Sequence, residues 1–142
     1  MSEKVLLVDD EEEFLEIMAE RMQARDMVVD TCTNAEEALR KLKEESYDAI
    51  ILDFMMPGMD GMRALQEMKS LSPESQVILL TGHATIEKSV EAMKLGAADF
   101  LEKPADLAAL EKKIKDAKAN RMVIVEKKAE KRIQEVIRRI GG

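Results

Sequence analysis

The sequence lacks most of the residues that crosslink, stack or anchor a protein. It contains one cysteine (Cys32), one histidine, no tryptophan, and only four phenylalanine and tyrosine residues among 142. A single cysteine cannot form an internal disulfide, and the apolar segment around Cys32 favours a buried structural thiol over a reactive one. The apolar run from Val5 to Val8 is too short for a signal peptide or a membrane span. These shortages predict a cytoplasmic protein whose core is filled by aliphatic side chains and by its eleven methionines.

Basic residues are scarce in most of the chain. Residues 1–105 carry 11 Lys and Arg against 23 Asp and Glu, a net charge of −12, whereas residues 106–142 carry 11 against 6, a net charge of +5. An acidic body argues against nucleic-acid binding by that part. The basic tail has no aromatic or base-reading motif beside its charges, so a solvated helical face is favoured there. We therefore expect no direct nucleic-acid binding by this chain and no contact with a membrane.

Short apolar runs alternate with helical periods along the chain. Five runs predict strands, at residues 4–8, 27–32, 49–52, 77–80 and 99–102. Asn34, with Glu37 three residues later, is a good helix N-cap. Strand and helix alternating five times imply an α/β fold with a doubly wound, five-stranded parallel sheet and right-handed crossovers. Apolar stripes with helical spacing include Phe14, Ile17, Met18 and Met22, then Leu65, Met68 and Leu71, and then Ile86, Val90 and Met93.

Polar residues follow four of the predicted strands. Asp9 and Asp10 follow the first strand, Asp53 the third, Thr81 the fourth and Lys103 the fifth. Each has an ordinary alternative, because aspartates and threonines often cap turns and helices and a lysine is often a surface charge. In a parallel sheet, however, the carboxyl ends of the strands lie on one edge, where ligands bind. Four strand ends carrying such groups together favour one shared site.

This set of groups suits a particular chemistry. Three neighbouring carboxylates repel one another, and Mg²⁺, which prefers carboxylate, carbonyl and water oxygens, relieves that repulsion. Lys103 and the Thr81 hydroxyl then remain to bind the oxygens of an anionic group. A nucleophilic carboxylate, a metal, an ammonium and a hydroxyl donor are the parts needed to move a phosphoryl group onto a carboxylate.

Four motifs connect the chain with a known family. They are VDD at 8–10, DFMMPGMDG at 53–61, TGHA at 81–84 and DFLEKP at 99–104. Over about residues 3–118 the sequence resembles the receiver domains of two-component response regulators. Residues 81–104 are similar to those of receivers that precede ATPase-type transcription activators. The resemblance implies the flavodoxin-like strand order 2-1-3-4-5.

The resemblance also implies a role for each strand-end residue. Asp53 is expected to be the phosphoacceptor, with Lys103 and Thr81 binding the phosphoryl oxygens. Phe100 takes the position of the family's switch aromatic, whose side chain turns inward when Thr81 moves, and the Lys103–Pro104 bond is expected to be cis. The expected ligands of Mg²⁺ are Asp9, Asp10, Asp53 and the carbonyl group of Met55, with Asp9 acting through water.

A phosphorylation-controlled switch is the function that the resemblance implies. A sensor histidine kinase or a phosphotransfer protein would donate the phosphoryl group, and the surface of helix 4, strand 5 and helix 5 would change to signal to a partner or output domain. Such a domain is not an enzyme beyond its own phosphorylation and dephosphorylation. Two alternatives are open: a phosphohydrolase similar to haloacid dehalogenases, which the lack of an acid at Met55 disfavours, and a phosphorylation-independent scaffold. Met55 and His83 flank the site, where both are expected to shield the acyl phosphate from water.

The chain is expected to divide into a receiver domain at residues 1–118 and a helical tail at residues 119–142. A helix from about Leu107 to Ile140 would be about 50 Å long and would project beyond a domain only about 35 Å across. Apolar heptad positions along it predict a homodimer through residues 119–140, with a solvated basic helix as the alternative. Both a single-domain regulator and part of a longer regulator fit this pattern. The apolar heptad positions are Ala119, Met122, Ala129, Ile133, Val136 and Ile140, and Glu126 interrupts them at an a position.

Overall fold

A computed structural model describes residues 2–54, 56, 60–82, 86–104 and 106–141. Strands and helices alternate through the described chain, as the sequence predicts. The strands are β1 Lys4–Val8, β2 Val28–Cys32, β3 Ala49–Asp53, β4 Val77–Thr81 and β5 Asp99–Glu102. The helices are α1 Glu12–Gln23, α2 Ala35–Glu44, α3 Gly61–Leu71, α4 Ile86–Lys94 and α5 Leu107–Gly141.

The five strands form one parallel sheet in the order β2-β1-β3-β4-β5. The predicted fold class and strand order are therefore confirmed. All five residues of β3 are buried, because helices cover both faces of the sheet at this central strand. Its continuous apolar run provides buried side chains to each face. Its last residue is Asp53, which the fold carries to the carboxyl edge of the sheet.

Helices cover both faces of the sheet, and alternate side chains of each strand enter opposite cores. Leu6, Ile50 and Leu52 join the core that includes residues of α2, α3 and α4. Val5 and Ile51 point the other way and join the core formed with α1 and α5. Both cores are aliphatic, and methionines fill them as the composition predicts. The buried methionines are Met18, Met22, Met27, Met56 and Met68.

Local signals behave largely as expected. The Asn34 side chain accepts a hydrogen bond of 2.8 Å from the Glu37 backbone N–H, which confirms the predicted N-cap of α2. Cys32 is buried, and burial raises the pKa of its thiol to about 12, so it is a structural thiol with almost no thiolate at neutral pH.

Members of three predicted helical stripes are exposed and not buried. Leu71, the last residue of α3, is 38% exposed. Ile17 of α1 is 45% exposed, and Val90 and Met93 of α4 are 48% and 45% exposed. The spacing of apolar residues in α1 fits two neighbouring stripes equally well, and only the fit of the helix on the sheet chooses between them. The side chains that α1 buries are Leu15, Met18 and Met22.

Helix α5 is a single helix of 35 residues, or about 52 Å at 1.5 Å per residue. Its first third buries Leu110, Ile114 and Ala117 on the domain. Farther along, Arg121 and Ile124 are half-buried and Lys128 Nζ lies 3.5 Å from Glu74 Oε2. The long C-terminal helix predicted from the sequence is therefore present. Among the helices of the described residues, none is both long and apolar enough to span a bilayer.

Candidate functional site

Three carboxylates meet at the carboxyl edge of the sheet. Asp9 and Asp10 directly follow β1, and Asp53 ends the neighbouring strand β3. One carboxylate oxygen from each lies within 4.8 Å of the others. Asp9 and Asp53 are buried, whereas Asp10 is exposed. The fold thus brings together the three acidic residues that the sequence places at these strand ends.

Asp9 is held by both its backbone and its side chain. Its backbone N–H donates to the Cys32 carbonyl at 3.1 Å, which ties it to the end of β2. Its Oδ1 accepts a hydrogen bond of 2.9 Å from the Glu11 backbone N–H, and its Oδ2 accepts one of 2.7 Å from Lys103 Nζ. Both carboxylate oxygens of Asp9 are therefore already engaged within the protein.

Lys103 places its ammonium group between two of the carboxylates. Its Nζ lies 2.7 Å from Asp9 Oδ2 and 3.3 Å from Asp53 Oδ2, and it also lies 4.4 Å from the centre of the Phe14 ring. Burial alone would lower the pKa of this ammonium, but its hydrogen bond to Asp9 and the charge of Asp53 outweigh burial and raise the pKa above 10.5. Lys103 is therefore fully charged at neutral pH.

The ends of β3, β4 and β5 are joined by backbone hydrogen bonds. Phe54 N–H donates to Leu80 carbonyl at 2.9 Å, and Lys103 N–H donates to Thr81 carbonyl at 2.8 Å. Thr81, buried at the end of β4, consequently lies on the strand between those of Asp53 and Lys103. The Lys103–Pro104 peptide bond is cis, as the resemblance implies.

Phe100 lies on β5, one residue along from the ion-paired Asp99. Its ring is partly buried against the core formed with α2, α3 and α4. Asp99 Oδ2 accepts a hydrogen bond of 2.6 Å from Lys113 Nζ, which links β5 to α5 beside Phe100. Met55, an expected Mg²⁺ ligand, and His83, an expected shield of the site, both lie outside the described residues.

The donor set fits a divalent cation. Three carboxylates face one ammonium, so the site carries an excess of negative charge, and two of the carboxylates are buried where that charge is poorly solvated. Hard oxygen ligands in this number are those that Mg²⁺ prefers. The exposed Asp10 also borders an open cleft of about 640 Å³ lined by Thr33, Asn34, Asp60 and Arg63, which gives solvent access to the cluster.

Phe14 is the residue that sequence reasoning missed at this site. Its spacing assigned it to the apolar stripe of α1, and it does pack against the core formed with α1 and α5. Its position four residues after Asp10, in the first turn of a helix that begins at the site, was the signal available for a second role. The second role is visible only in the folded structure, where the ring of Phe14 contacts the Lys103 ammonium group.

Gly61, the first residue of α3, lies very close to Phe54, the residue that follows Asp53. A Cβ atom at Gly61 would lie 2.5 Å from Phe54 Cδ1 and 2.8 Å from the Phe54 carbonyl oxygen. The carbonyl is backbone and cannot move aside without shifting the residue that follows Asp53. We expect Gly61→Ala to lower the free energy of unfolding by about 1–3 kcal/mol, measured by urea denaturation. Gly82→Ala is the matched control, because the space around Gly82 is open; equal losses for both variants would contradict this account.

Comparisons with known proteins agree with the geometry. The model of the response regulator receiver domain family matches residues 5–115. The transcriptional regulatory protein GlrR of Escherichia coli K12 is 38% identical over 113 residues, which is 80% of this chain and 26% of that protein. The chain thus spans about a quarter of the length of such curated relatives.

Two solved structures extend the comparison. A response regulator receiver domain protein from Clostridium thermocellum superposes with a TM-score of 0.81 at 32% identity, covering 87% of this chain and 99% of that one. The beryllofluoride-activated NtrC4 receiver domain dimer superposes with a TM-score of 0.77 at 36% identity, covering 83% and 98%. With a family match over most of its length and a sheet of the expected order, the chain belongs to the response regulator receiver domain family of two-component signalling.

Proposed function

We propose that this receiver accepts a phosphoryl group on Asp53 from a sensor histidine kinase or a phosphotransfer protein, in a Mg²⁺-dependent reaction. The observation that carries the proposal is the Lys103 ammonium group held at 2.7 Å from Asp9 and 3.3 Å from Asp53. A cation in that position is suited to bind an oxygen of a phosphoryl group attached to Asp53.

Asp53 is the best nucleophile of the three carboxylates. Asp9 accepts hydrogen bonds from the Glu11 backbone N–H and from Lys103 Nζ, so it positions the ammonium group, and Asp10 is exposed. Asp53 is buried at the end of the central strand β3, next to the ammonium. In the reaction, a carboxylate oxygen of Asp53 attacks phosphorus, the bond from phosphorus to the donor's leaving atom breaks, and the leaving group takes a proton from solvent.

Asp10, Asp53 and the Met55 carbonyl would hold Mg²⁺, with Asp9 contributing through water. When bound, the ion supplies positive charge to the phosphoryl oxygens and offsets the repulsion among the carboxylates. Lys103 neutralises a further oxygen, and the Thr81 hydroxyl donates to another once the group has arrived. Phe100 would then turn inward as Thr81 moves.

The surface of α4, β5 and α5 is the proposed output of the switch. Val90 and Met93 expose apolar side chains on α4, and the ion pair of Asp99 with Lys113 links β5 to α5. A change at Thr81 and Phe100 alters the strand on which Asp99 lies. We assign residues 1–118 to the receiver and 119–142 to a projecting tail that can join two copies. A cytoplasmic location stays a prediction.

Labelling of the full chain with a small phosphodonor tests this function. We expect acetyl phosphate with Mg²⁺ to add one phosphoryl group, detected by intact-protein mass spectrometry, and EDTA to prevent it. Borohydride converts an aspartyl phosphate into homoserine, which peptide mass spectrometry should locate at position 53. Absence of label with Mg²⁺ present, or label at a serine or threonine, would refute the proposal and favour the phosphorylation-independent scaffold.

A further inference from the structure

The geometry points to Phe14 as a positioning residue that holds the Lys103 ammonium group over the acidic site and so sets how well the site binds a phosphoryl group. This inference rests on the proposed phosphorylation of Asp53. The ammonium lies 4.4 Å from the centre of the Phe14 ring, well inside the range of a cation–π interaction. Only about a fifth of the Lys103 side chain is exposed, so water competes weakly for this contact.

The ring contact differs from the other two contacts of the ammonium. Lys103 donates to Asp9 and Asp53, and both partners change their electrostatic environment when a cation binds the carboxylates or when Asp53 becomes esterified. The Phe14 ring carries no net charge and is not a ligand for either species. It is therefore the contact that stays constant while the carboxylates are being neutralised.

The position of Phe14 is itself fixed by the fold. It lies in the first turn of α1 and packs against the core cluster that contains Leu15, Met18 and Ile114. Lysine has a long flexible side chain, and holding its ammonium in one place costs conformational entropy. A ring anchored in the core reduces the number of places that the ammonium can occupy before the phosphoryl group arrives.

This role predicts a specific order among substitutions at position 14. Leucine keeps the apolar packing but has no ring face to attract a cation, whereas tyrosine and tryptophan keep the ring face. We expect Phe14→Leu to slow labelling of Asp53 by acetyl phosphate, and to weaken beryllofluoride binding, by about three- to tenfold. Phe14→Tyr should stay within about twofold of the wild type in both measurements. Small phosphodonors are used because they bypass any docking of a kinase on α1.

A second measurement separates positioning from loss of structure. The affinity for Mg²⁺ alone, measured by titration of backbone amide NMR signals near Asp53, should be nearly equal in wild type and Phe14→Leu. Leu107→Ala is the matched packing control, since Leu107 is partly buried against the same core cluster. It should lower thermal stability while leaving the ratio of beryllofluoride to Mg²⁺ affinity unchanged.

A third measurement does not depend on phosphorylation. The ring should shift the NMR signals of the Lys103 ε-methylene protons upfield in the wild type, and Phe14→Leu should abolish that shift. A wild type that shows the ring-current shift but takes up no label at Asp53 refutes the proposed function and leaves the contact established. A labelled wild type whose Phe14→Leu variant reacts at an equal rate, or whose Leu107→Ala variant loses as much beryllofluoride affinity relative to Mg²⁺, refutes the positioning role alone.

Discussion

Replacing Asp53 by asparagine is expected to abolish the uptake of a phosphoryl group from acetyl phosphate in the presence of Mg²⁺. An amide has no negative charge to direct at phosphorus, so the initial rate should fall by about 10³-fold or more. Asparagine has nearly the size of aspartate and still offers a carbonyl oxygen to Lys103, so the fold should persist. Intact-protein mass spectrometry over a time course measures the effect.

The control for this prediction is a second aspartate far from the site. Asp116 lies exposed on α5, and Asp116→Asn makes the identical chemical change to the chain. It should be labelled at the wild-type rate. An Asp53→Asn variant that is still labelled, with the reductive product now found at Asp10, would show that the acidic cluster reacts but that its nucleophile has been wrongly assigned.

The second large effect concerns the tail of α5, where we expect two copies of the chain to pair. Its exposed apolar side chains would otherwise lie in water along most of the projecting helix. These exposed side chains are Met122, Val123, Val125, Ile133, Val136, Ile137 and Ile140. A second copy of the same helix can bury this stripe, because both helices then carry apolar residues at the heptad spacing of a coiled coil.

The packing of α5 on the receiver leaves the pairing stripe free. At about 100° per residue, the side chains of α5 that contact the body fall within about 80° of one another around the helix, and the heptad positions are centred about 110° from the middle of that arc. The body-facing stripe continues past the buried Ala117 to the half-buried Arg121 and Ile124. Farther along it, Lys128 Nζ lies 3.5 Å from Glu74 Oε2 in the connection between α3 and β4. The heptad stripe therefore lies on a different side of α5 from the one that contacts the receiver, where we expect the partner helix to pair.

A pair of charge substitutions on the stripe tests this arrangement in the full chain. Ile133→Glu with Val136→Glu places two carboxylates at an a and a d position, and we expect it to weaken self-association at least about 100-fold. Lys131→Gln with Gln134→Glu changes the net charge by the same amount at positions off the stripe and should leave association intact. Light scattering at tens of micromolar measures the mass of each species.

Two outcomes would contradict the tail prediction. A wild type that is monomeric at tens of micromolar would show that the tail is a solvated helix. A chain ending near Ala117 that still dimerises as strongly as the full chain would place the interface on the receiver instead. Neither outcome bears on the chemistry of Asp53, because the site lies at the carboxyl edge of the sheet and the tail's contact with the body, Lys128 with Glu74, precedes β4 at the amino edge.

The sequence alone determined the architecture of this protein and the composition of its site. Continuous apolar runs such as Ala49–Leu52 are readable as buried strands because both faces of a central parallel strand must be apolar. Strand ends are equally readable, since the change from apolar to polar residues occurs where the chain reaches solvent. Asp9, Asp10, Asp53 and Lys103 could therefore be assigned to one edge of the sheet before any coordinate was known, and the structure brings them together there.

Tertiary structure decided which apolar side chains of each helix are buried, because the periodicity of the sequence fits more than one choice. An amphipathic pattern predicts that a helix has an apolar side, but it does not choose between Leu15 and Ile17, which are two residues apart. Only the way α1 lies on the sheet buries Leu15 and exposes Ile17. Phe14 is an apolar residue of α1 by spacing and a neighbour of the Lys103 ammonium only by virtue of the fold. These contacts join residues distant in sequence, whose meeting depends on how helices lie against the sheet and not on any local propensity.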